Sequence, residues 1–129
     1  MKKLVFLLLA VMTLTACTPI KENDREVTYM NITAEEAKRI MDTEEGYIIL
    51  DVREQDEYDA GHIPGAILIP YTQIEEKANE MLPDKEQLIL VYCRSGRRSK
   101  IAADALVELG YTNIKEFGGI LDWPYEVEG

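Results

Sequence analysis

From residue 28 onward, short apolar runs alternate with longer segments in which apolar residues recur at helical spacing. Residues 47–52 and 87–92 are almost continuously apolar, which is typical of strands buried on both faces of a parallel sheet. Three shorter strands are predicted at residues 29–32, 66–69 and 113–117. The apolar run at residues 87–92 is the clearest strand pattern in the sequence and is therefore predicted to form the central strand.

The amphipathic segments predict three longer helices and one short helix. Thr33 and Glu36 fit a capping box at the start of the first helix, which is expected to end near Asp42. Residues 71–82 and 99–109 predict two more helices, and the short helix is expected soon after residue 53. Gly110 follows the last helix, where a left-handed cap is common. The side chains predicted to face inward from the two later helices are Ile74, Ala78, Met81 and Leu82, and then Ile101, Ala105, Leu106 and Leu109.

The order of these elements determines the predicted fold. Strands that alternate with helices favour right-handed crossovers and a mostly parallel sheet of about five strands with helices on both faces. The predicted fold class is therefore α/β, with residues 28–129 forming one domain. Ligands of such open sheets bind beyond the carboxyl ends of the strands, next to helix N-termini. Cys93 follows the predicted central strand and lies at such a position.

The start of the chain has the features of an export signal. Two lysines precede an apolar run over residues 4–14, which leads into Leu14-Thr15-Ala16-Cys17. A membrane-spanning helix needs about 20 apolar residues, whereas the apolar cores of signal peptides have about 7 to 15. The four residues that end in Cys17 resemble the lipobox of bacterial lipoproteins, in which the cysteine is lipidated and becomes the new N-terminus.

This resemblance implies a signal peptide at residues 1–16 and a lipidated N-terminus with a polar tether at residues 17–27. The protein is then expected to be exported and anchored by lipid on Cys17 at the bacterial cell envelope, on the outer face of the cytoplasmic membrane or on the periplasmic side. The lipid would be its only contact with the membrane. The alternative is an ordinary signal peptide with a chance cysteine near its end, and export is expected in both cases.

The charge of the chain argues against nucleic acid as a partner. The sequence has 24 acidic and 14 basic residues and a formal charge of −10 at pH 7, which repels polyanions over most of the surface. Against this acidic background one segment concentrates cations, with Arg94, Arg97, Arg98 and Lys100 close together. These cations indicate a local site for a small anion.

Cys93 stands at the head of this cationic loop. The chain has two cysteines, so Cys93 is a free thiol if Cys17 carries lipid. The amides of a tight loop and of the following helix N-terminus favour negative charge, and with the cations they stabilise a nucleophilic thiolate. Gly96 permits the backbone turn that such a loop needs. Cys93 is the predicted nucleophile, and the predicted binding residues for a small dianion are Arg94, Ser95, Gly96, Arg97, Arg98 and Ser99.

From about residue 30 onward the chain resembles the rhodanese domain. The motifs that carry the resemblance are Asp51-Val52-Arg53, Gly61-His62-Ile63-Pro64-Gly65-Ala66, Cys93-Arg94-Ser95-Gly96-Arg97-Arg98-Ser99, and Gly118-Gly119 with Trp123. Each motif is weak alone, but their shared order and compatible spacing are specific. The resemblance implies a rhodanese-like fold and a sulfurtransferase in which Cys93 accepts sulfane sulfur as a persulfide. The persulfide would be held by the loop amides and passed to a thiophilic acceptor.

The resemblance implies no metal and no organic cofactor, and a small anionic sulfur donor and a thiophilic acceptor such as cyanide or a thiol as partners. Arg94 departs from the glycine that follows the cysteine in mercaptopyruvate sulfurtransferases, so thiosulfate is the expected donor. The residues expected to support the loops are Asp51, Arg53 and His62. Arg53 is expected to pair with Asp56 or Glu57, and Trp123 to pack the C-terminal segment onto the domain.

Other interpretations of the same residues stay open. Cysteine-dependent phosphatases and arsenate reductases use a cysteine in an anion-binding loop of this fold, but they place arginine six positions after it, where this chain has Ser99. They usually carry histidine before the cysteine, where this chain has Tyr92. A binding module or a persulfide carrier would use the domain without turnover. On a purely structural interpretation, Cys93 is a buried apolar side chain and the cations form a solvated face.

Overall fold

A five-stranded sheet lies at the centre of residues 28–129, the part of the chain that the computed structural model describes. The strands are β1 (Met30–Asn31), β2 (Ile48–Asp51), β3 (Ile67–Leu68), β4 (Ile89–Cys93) and β5 (Ile114–Gly119). Their order in the sheet is β1-β5-β4-β2-β3, and each neighbouring pair is parallel. The predicted α/β fold with β4 at the centre of a parallel sheet is confirmed.

Four helices connect the strands. They are α1 (Ala34–Thr43), α2 (Gln55–Ala60), α3 (Ile74–Met81) and α4 (Arg97–Glu108), with 3-10 turns at Tyr71–Gln73 and Ile120–Asp122. The capping box predicted for α1 is present, because the Glu36 amide donates to Thr33 Oγ1 over 3.1 Å and the Thr33 amide donates to the Glu36 carboxylate. These reciprocal bonds satisfy amides that the first helical turn leaves unpaired.

Two apolar cores cover the two faces of the sheet, since successive side chains of a strand point in opposite directions. Leu50 and Val91 belong to the core under α3 and α4. Leu90 and Tyr92 belong to the core that includes α1 and Trp123. Trp123 is buried and its Nε1 donates to the Glu126 carbonyl, so the predicted packing of the C-terminal segment is confirmed.

The helix predicted at residues 99–109 begins earlier, at Arg97. The cause is Gly96, which takes a left-handed φ of 106° and closes the loop immediately before the helix. The prediction that Ile101 faces inward is wrong, because this side chain is 44% exposed. With about 100° of rotation per residue, the buried face of α4 passes through Ala102 and Leu106 and leaves Ile101 outside.

The helix predicted at residues 71–82 is divided into a 3-10 turn and α3, and Met81 is exposed instead of inward-facing. Within residues 28–129, no helix is both long and apolar enough to span a membrane. The predicted signal peptide, the tether and Cys17 lie outside the described residues.

Candidate active site

Cys93 is the last residue of β4 and its side chain is only 1% exposed. The Gly96 amide donates a hydrogen bond to Cys93 Sγ over 3.0 Å. The sulfur also lies 3.3 Å from the hydroxyl of Ser99, to which the thiol donates. Since Ser99 belongs to the first turn of α4, the sulfur faces the positive end of that helix dipole.

The loop between β4 and α4 is held against the end of β5. The Leu121 amide donates to the Arg94 carbonyl over 3.2 Å. A β-carbon built on Gly119 would lie 2.0 Å from that carbonyl oxygen and 2.5 Å from the Ser95 nitrogen. Because backbone atoms cannot move aside cheaply, the loop comes this close only where residue 119 is glycine.

The predicted loop cations differ in their surroundings. Arg94, Arg97 and Lys100 are exposed, as is Ser95. Arg98 is only partly exposed, and its guanidinium donates two hydrogen bonds to Glu57, over 2.6 and 2.8 Å. No acidic residue follows Cys93 in the sequence before Asp104, but the fold brings Glu57 of α2 to Arg98.

The Arg98–Glu57 pair shifts the titration of both groups. The hydrogen bond from Arg98 lowers the pKa of Glu57 from 4.5 to about 2, against a smaller opposing effect of burial. The same hydrogen bond raises the pKa of Arg98, and an ionised sulfur on the nearby Cys93 would add a smaller increase. Arg98 thus holds its charge in a fixed position near the sulfur.

The predicted pairing of Arg53 with Asp56 or Glu57 is wrong. Arg53 Nη2 donates to Asp51 Oδ2 over 2.7 Å and to the Gly61 carbonyl over 2.6 Å. Both members of this ion pair are buried, and Arg53 Nε and its amide also donate to Asp51. Residue 51 ends β2 and points its carboxylate at the backbone of residue 53, which leaves Glu57 free to bind Arg98.

Tyr92 extends this network to the residue before Cys93. Its hydroxyl donates to Asp51 Oδ2 over 2.6 Å and accepts from the Ile63 amide over 3.0 Å. Burial, followed by the hydrogen bond to Asp51, raises the pKa of Tyr92 far above its ordinary value of 10.0. The tyrosine is therefore a neutral donor that joins β2, β4 and the turn after α2.

His62 lies in the contact between that turn and the C-terminal segment. Its Nδ1 is 2.9 Å from the Tyr58 carbonyl, and its Nε2 is 3.4 Å from a Glu128 carboxylate oxygen. The imidazole stacks on the Tyr58 ring with centroids 3.8 Å apart. Backbone bonds between residues 62 and 128 form an antiparallel bridge. These partners place His62 in a structural contact and give it none with Cys93.

Glu116 was not among the predicted site residues, yet its carboxylate lies under the loop and its side chain is 2% exposed. Oε1 accepts from the Ser99 hydroxyl over 2.7 Å and from the Gly118 amide over 2.8 Å. The signal available in the sequence is an acidic residue inside a predicted strand, two positions before the motif that begins at Gly118.

The arrangement can hold negative charge on and around one sulfur atom. A groove of about 500 Å³ opens beside the loop, with Arg94, Leu121, Tyr125 and Val127 among its lining residues. Within the described residues, no three His, Cys, Asp or Glu side chains cluster in a way that could hold a metal ion. This arrangement supports nucleophilic attack by sulfur, assisted by amides and nearby cations.

The chain is similar to known proteins over this whole region. The family model of the rhodanese-like domain matches residues 33–125. A Bacillus subtilis protein named putative sulfur carrier protein YrkF is 40% identical over 98 residues, which cover 75% of this chain and 52% of that protein. The chain thus spans about half the length of that relative. Escherichia coli thiosulfate sulfurtransferase PspE is 40% identical over 73 residues, which cover 57% of this chain and 70% of PspE.

A solved structure has the same fold. The structure described as rhodanese with anions from E. coli superposes with a TM-score of 0.60 at 35% identity. The superposition covers 64% of this chain and 96% of the other.

Proposed function

Since the chain belongs to the rhodanese-like domain family, we propose that it is a sulfurtransferase that carries sulfane sulfur as a persulfide on Cys93. The donor is thiosulfate or a similar small anion, and the acceptor is a thiophile such as cyanide or a thiol. The observation that carries this proposal is the position of Cys93 Sγ, which accepts from the Gly96 amide at 3.0 Å and faces the start of α4. The relatives named as a thiosulfate sulfurtransferase and a putative sulfur carrier support it.

The proposed reaction is a double displacement. The Cys93 thiolate attacks the outer sulfur of thiosulfate, a sulfur–sulfur bond forms, and sulfite leaves with the electron pair of the bond that breaks. The acceptor then attacks the outer sulfur of the persulfide, and Cys93 leaves as a thiolate. The negative charge moves over only two sulfur atoms, so fixed amides and the helix dipole stabilise it without reorganising.

The loop cations have different roles in this proposal. Arg94 and Arg97 are exposed and attract the dianionic donor, whereas Arg98 contributes its charge from a fixed position beside Glu57. Gly96 and Ser99 contact the sulfur directly. The residues proposed to support the loop are Asp51, Arg53 and His62.

The test is intact-mass analysis of the protein and of its Cys93→Ser variant after incubation with thiosulfate. We expect one added sulfur on the unaltered protein and none on the variant, together with loss of sulfur transfer to cyanide, because a serine hydroxyl forms no persulfide. The free energy of unfolding of the variant serves as the control for folding. Sulfur transfer that survives in Cys93→Ser at the original rate would contradict the assignment.

A persulfide carrier without turnover is the second candidate, and the name of the Bacillus subtilis relative favours it. The two functions differ in the number of sulfur atoms moved per protein molecule. An enzyme forms many equivalents of thiocyanate from thiosulfate and cyanide, whereas a carrier loads one sulfur and releases it slowly. A phosphatase would instead hydrolyse an aryl phosphate, and we expect no such activity, since the position six residues after Cys93 is occupied by Ser99.

We also propose that the protein is exported and anchored to the bacterial cell envelope by lipid on Cys17, with residues 18–27 as a tether. The support is the lipobox-like sequence after a short apolar run. The mass of protein extracted from membranes shows whether the chain begins at Cys17 and whether that residue carries lipid.

A further inference from the structure

Glu116 differs from the other buried charged side chains of residues 28–129. Asp51 and Arg53 are buried and form an ion pair with each other. Glu116 is equally buried, but no lysine, arginine or histidine in the described part of the chain pairs with it. A buried carboxylate without a counter-ion is unfavourable for folding, and its place beside a nucleophile indicates a chemical role.

Ser99 connects this carboxylate to the sulfur. Its hydroxyl has one proton, and the shortest of its contacts to an acceptor is the 2.7 Å contact to Glu116 Oε1. Because the Ser99 hydroxyl donates its hydrogen bond to Glu116, its oxygen acts as an acceptor towards Cys93. The Cys93 thiol lies 3.3 Å away and donates to this oxygen. This direction of hydrogen bonds favours the protonated sulfur.

The negative charge of Glu116 favours the protonated Cys93 thiol, as the hydrogen bonds do. The Glu116 carboxylate is two hydrogen-bond lengths from Cys93 Sγ. A second negative charge on the sulfur would be repelled at this distance, and the repulsion is weakly screened because both groups are buried. The Gly96 amide opposes this effect, since it donates to the sulfur and favours the anion.

We propose that Glu116 is a positioning residue that acts through Ser99 to hold the resting Cys93 as a neutral thiol. The inference rests on the proposed function, in which Cys93 is the reacting group. A protonated thiol reacts slowly with oxidants and alkylating agents, because the thiolate is the nucleophile. The resting cysteine is thus protected, and the thiolate that attacks the donor is the small ionised fraction, formed with loss of the proton to solvent.

Other ionisable groups also face these two residues. From α4, Arg98 is held by the hydrogen bond to Glu57 that raises its pKa, and it lies close enough to Cys93 for an ionised sulfur to add to that increase. Before β1, the pKa of Tyr29 is raised by burial, then by the charges of Asp104 and Glu116. These groups are the same in all the variants below, so they do not alter the comparison.

The decisive experiment measures the rate of Cys93 alkylation by iodoacetamide, a neutral reagent, as a function of pH. Glu116→Gln removes the charge and keeps an oxygen that accepts from Ser99 and Gly118, with an NH2 group in place of the other carboxylate oxygen. We expect this variant to react about tenfold faster at pH 7, as one like charge at this distance implies. We also expect its pH profile to move to lower pH, with the same limiting rate at high pH.

The limiting rate separates this role from a merely structural one. A loosened loop would raise the alkylation rate at every pH, including the high-pH limit, and that result would overturn the proposal. A profile of Glu116→Gln that coincides with that of the unaltered protein, or moves to higher pH, would also overturn it. Glu80→Gln removes the same charge from the exposed surface of α3 and should leave the profile in place.

Ser99→Ala tests whether the effect passes through the hydroxyl. We expect the change caused by Glu116→Gln to be less than half as large in the Ser99→Ala background, because the two residues act as a unit. Equal changes in both backgrounds would show that Ser99 is not the link. Alkylation needs neither thiosulfate nor an acceptor, so a protein that takes up no sulfur refutes the proposed function and leaves this measurement intact.

Discussion

Asp51 and Glu116 are two buried carboxylates in the strands on either side of β4, and they differ in what surrounds them. Each accepts a short hydrogen bond from a hydroxyl, Asp51 from Tyr92 over 2.6 Å and Glu116 from Ser99 over 2.7 Å. Asp51 in addition has a buried guanidinium as its partner, while Glu116 has only the Gly118 amide. One site is therefore electrically balanced and the other is not.

The difference assigns the two carboxylates to different tasks. Asp51, with its cation and its tyrosine, joins β2, β4 and the turn at Gly61, and it makes no contact with the sulfur. Glu116 joins β5 to α4 through a residue that itself contacts Cys93. Removal of the Asp51 carboxylate should lower the stability of the fold. Removal of the charge on Glu116 should mainly alter the reactivity of the Cys93 sulfur.

The largest effect on stability is expected for Asp51→Ala. The substitution leaves the Arg53 guanidinium buried without its counter-ion, and breaking such a pair costs about 3–5 kcal/mol of unfolding free energy. Glu116→Gln should change the same quantity by about 1 kcal/mol or less, since the amide oxygen keeps both hydrogen bonds. Urea unfolding of the two variants at pH 7 measures the contrast.

Asp51→Asn provides the intermediate control, because it keeps one oxygen that accepts from Tyr92 and from Arg53 Nη2, while its NH2 group replaces the oxygen that accepts from the Arg53 amide. We expect it to lie between the unaltered protein and Asp51→Ala, and it gives a measurable value if the alanine variant does not fold. A loss in Asp51→Ala no greater than that in Glu116→Gln would mean that the two carboxylates do not differ as described.

A smaller effect is expected for Tyr92→Phe, which cuts the link between Asp51 and the strand that carries Cys93. The Ile63 amide loses its acceptor and Asp51 loses one donor, so the unfolding free energy should fall by about 2 kcal/mol. The pH profile of Cys93 alkylation should stay where it is, because burial and Asp51 keep the tyrosine neutral. Unfolding and alkylation measured on the same preparation check both expectations; a displaced profile would place Tyr92 in the chemistry as well.

The elements that the sequence predicts well are those that depend on local patterns. The strand at residues 89–93 and the loop after it follow from a continuous apolar run, a cysteine and a glycine within a few positions. The capping box at Thr33 is likewise a local signal. These local signals are enough to place Cys93 at the end of the central strand, next to a helix N-terminus.

The contacts that the sequence does not predict join residues that are distant in the chain. Arg98 and Glu57 are 41 positions apart, and Ser99 and Glu116 are 17 apart. Which acidic residues of α2 and β5 meet the side chains of α4 depends on how these elements pack together. The periodicity of apolar residues carries no information about that packing. Closeness in sequence favours Asp56 or Glu57 as the partner of Arg53, whereas the carboxylate that faces its guanidinium is that of Asp51 at the end of β2.

Glu57, the carboxylate that pairs with Arg98, is partly exposed. Its substitution is expected to have the smallest effect on the unfolding free energy. Its pKa is about 2 in the folded protein because of the Arg98 hydrogen bond, against 4.5 without it. The folded state therefore binds this proton less readily than the unfolded chain, so the stabilisation is complete above pH 4.5 and is lost as the pH falls towards 2.

Glu57→Gln should lower the unfolding free energy at pH 7 by about 1 kcal/mol, since solvent screens a pair at this exposure. The difference between this variant and the unaltered protein should shrink as the pH falls below 4.5, because protonated Glu57 is neutral like glutamine. Urea unfolding at a series of pH values measures the trend, with Glu80→Gln as an exposed carboxylate outside the region. A difference that stays constant down to pH 2 would show that Glu57 acts through packing and not through its charge, and Arg98 would then be held beside the loop by contacts other than the ion pair.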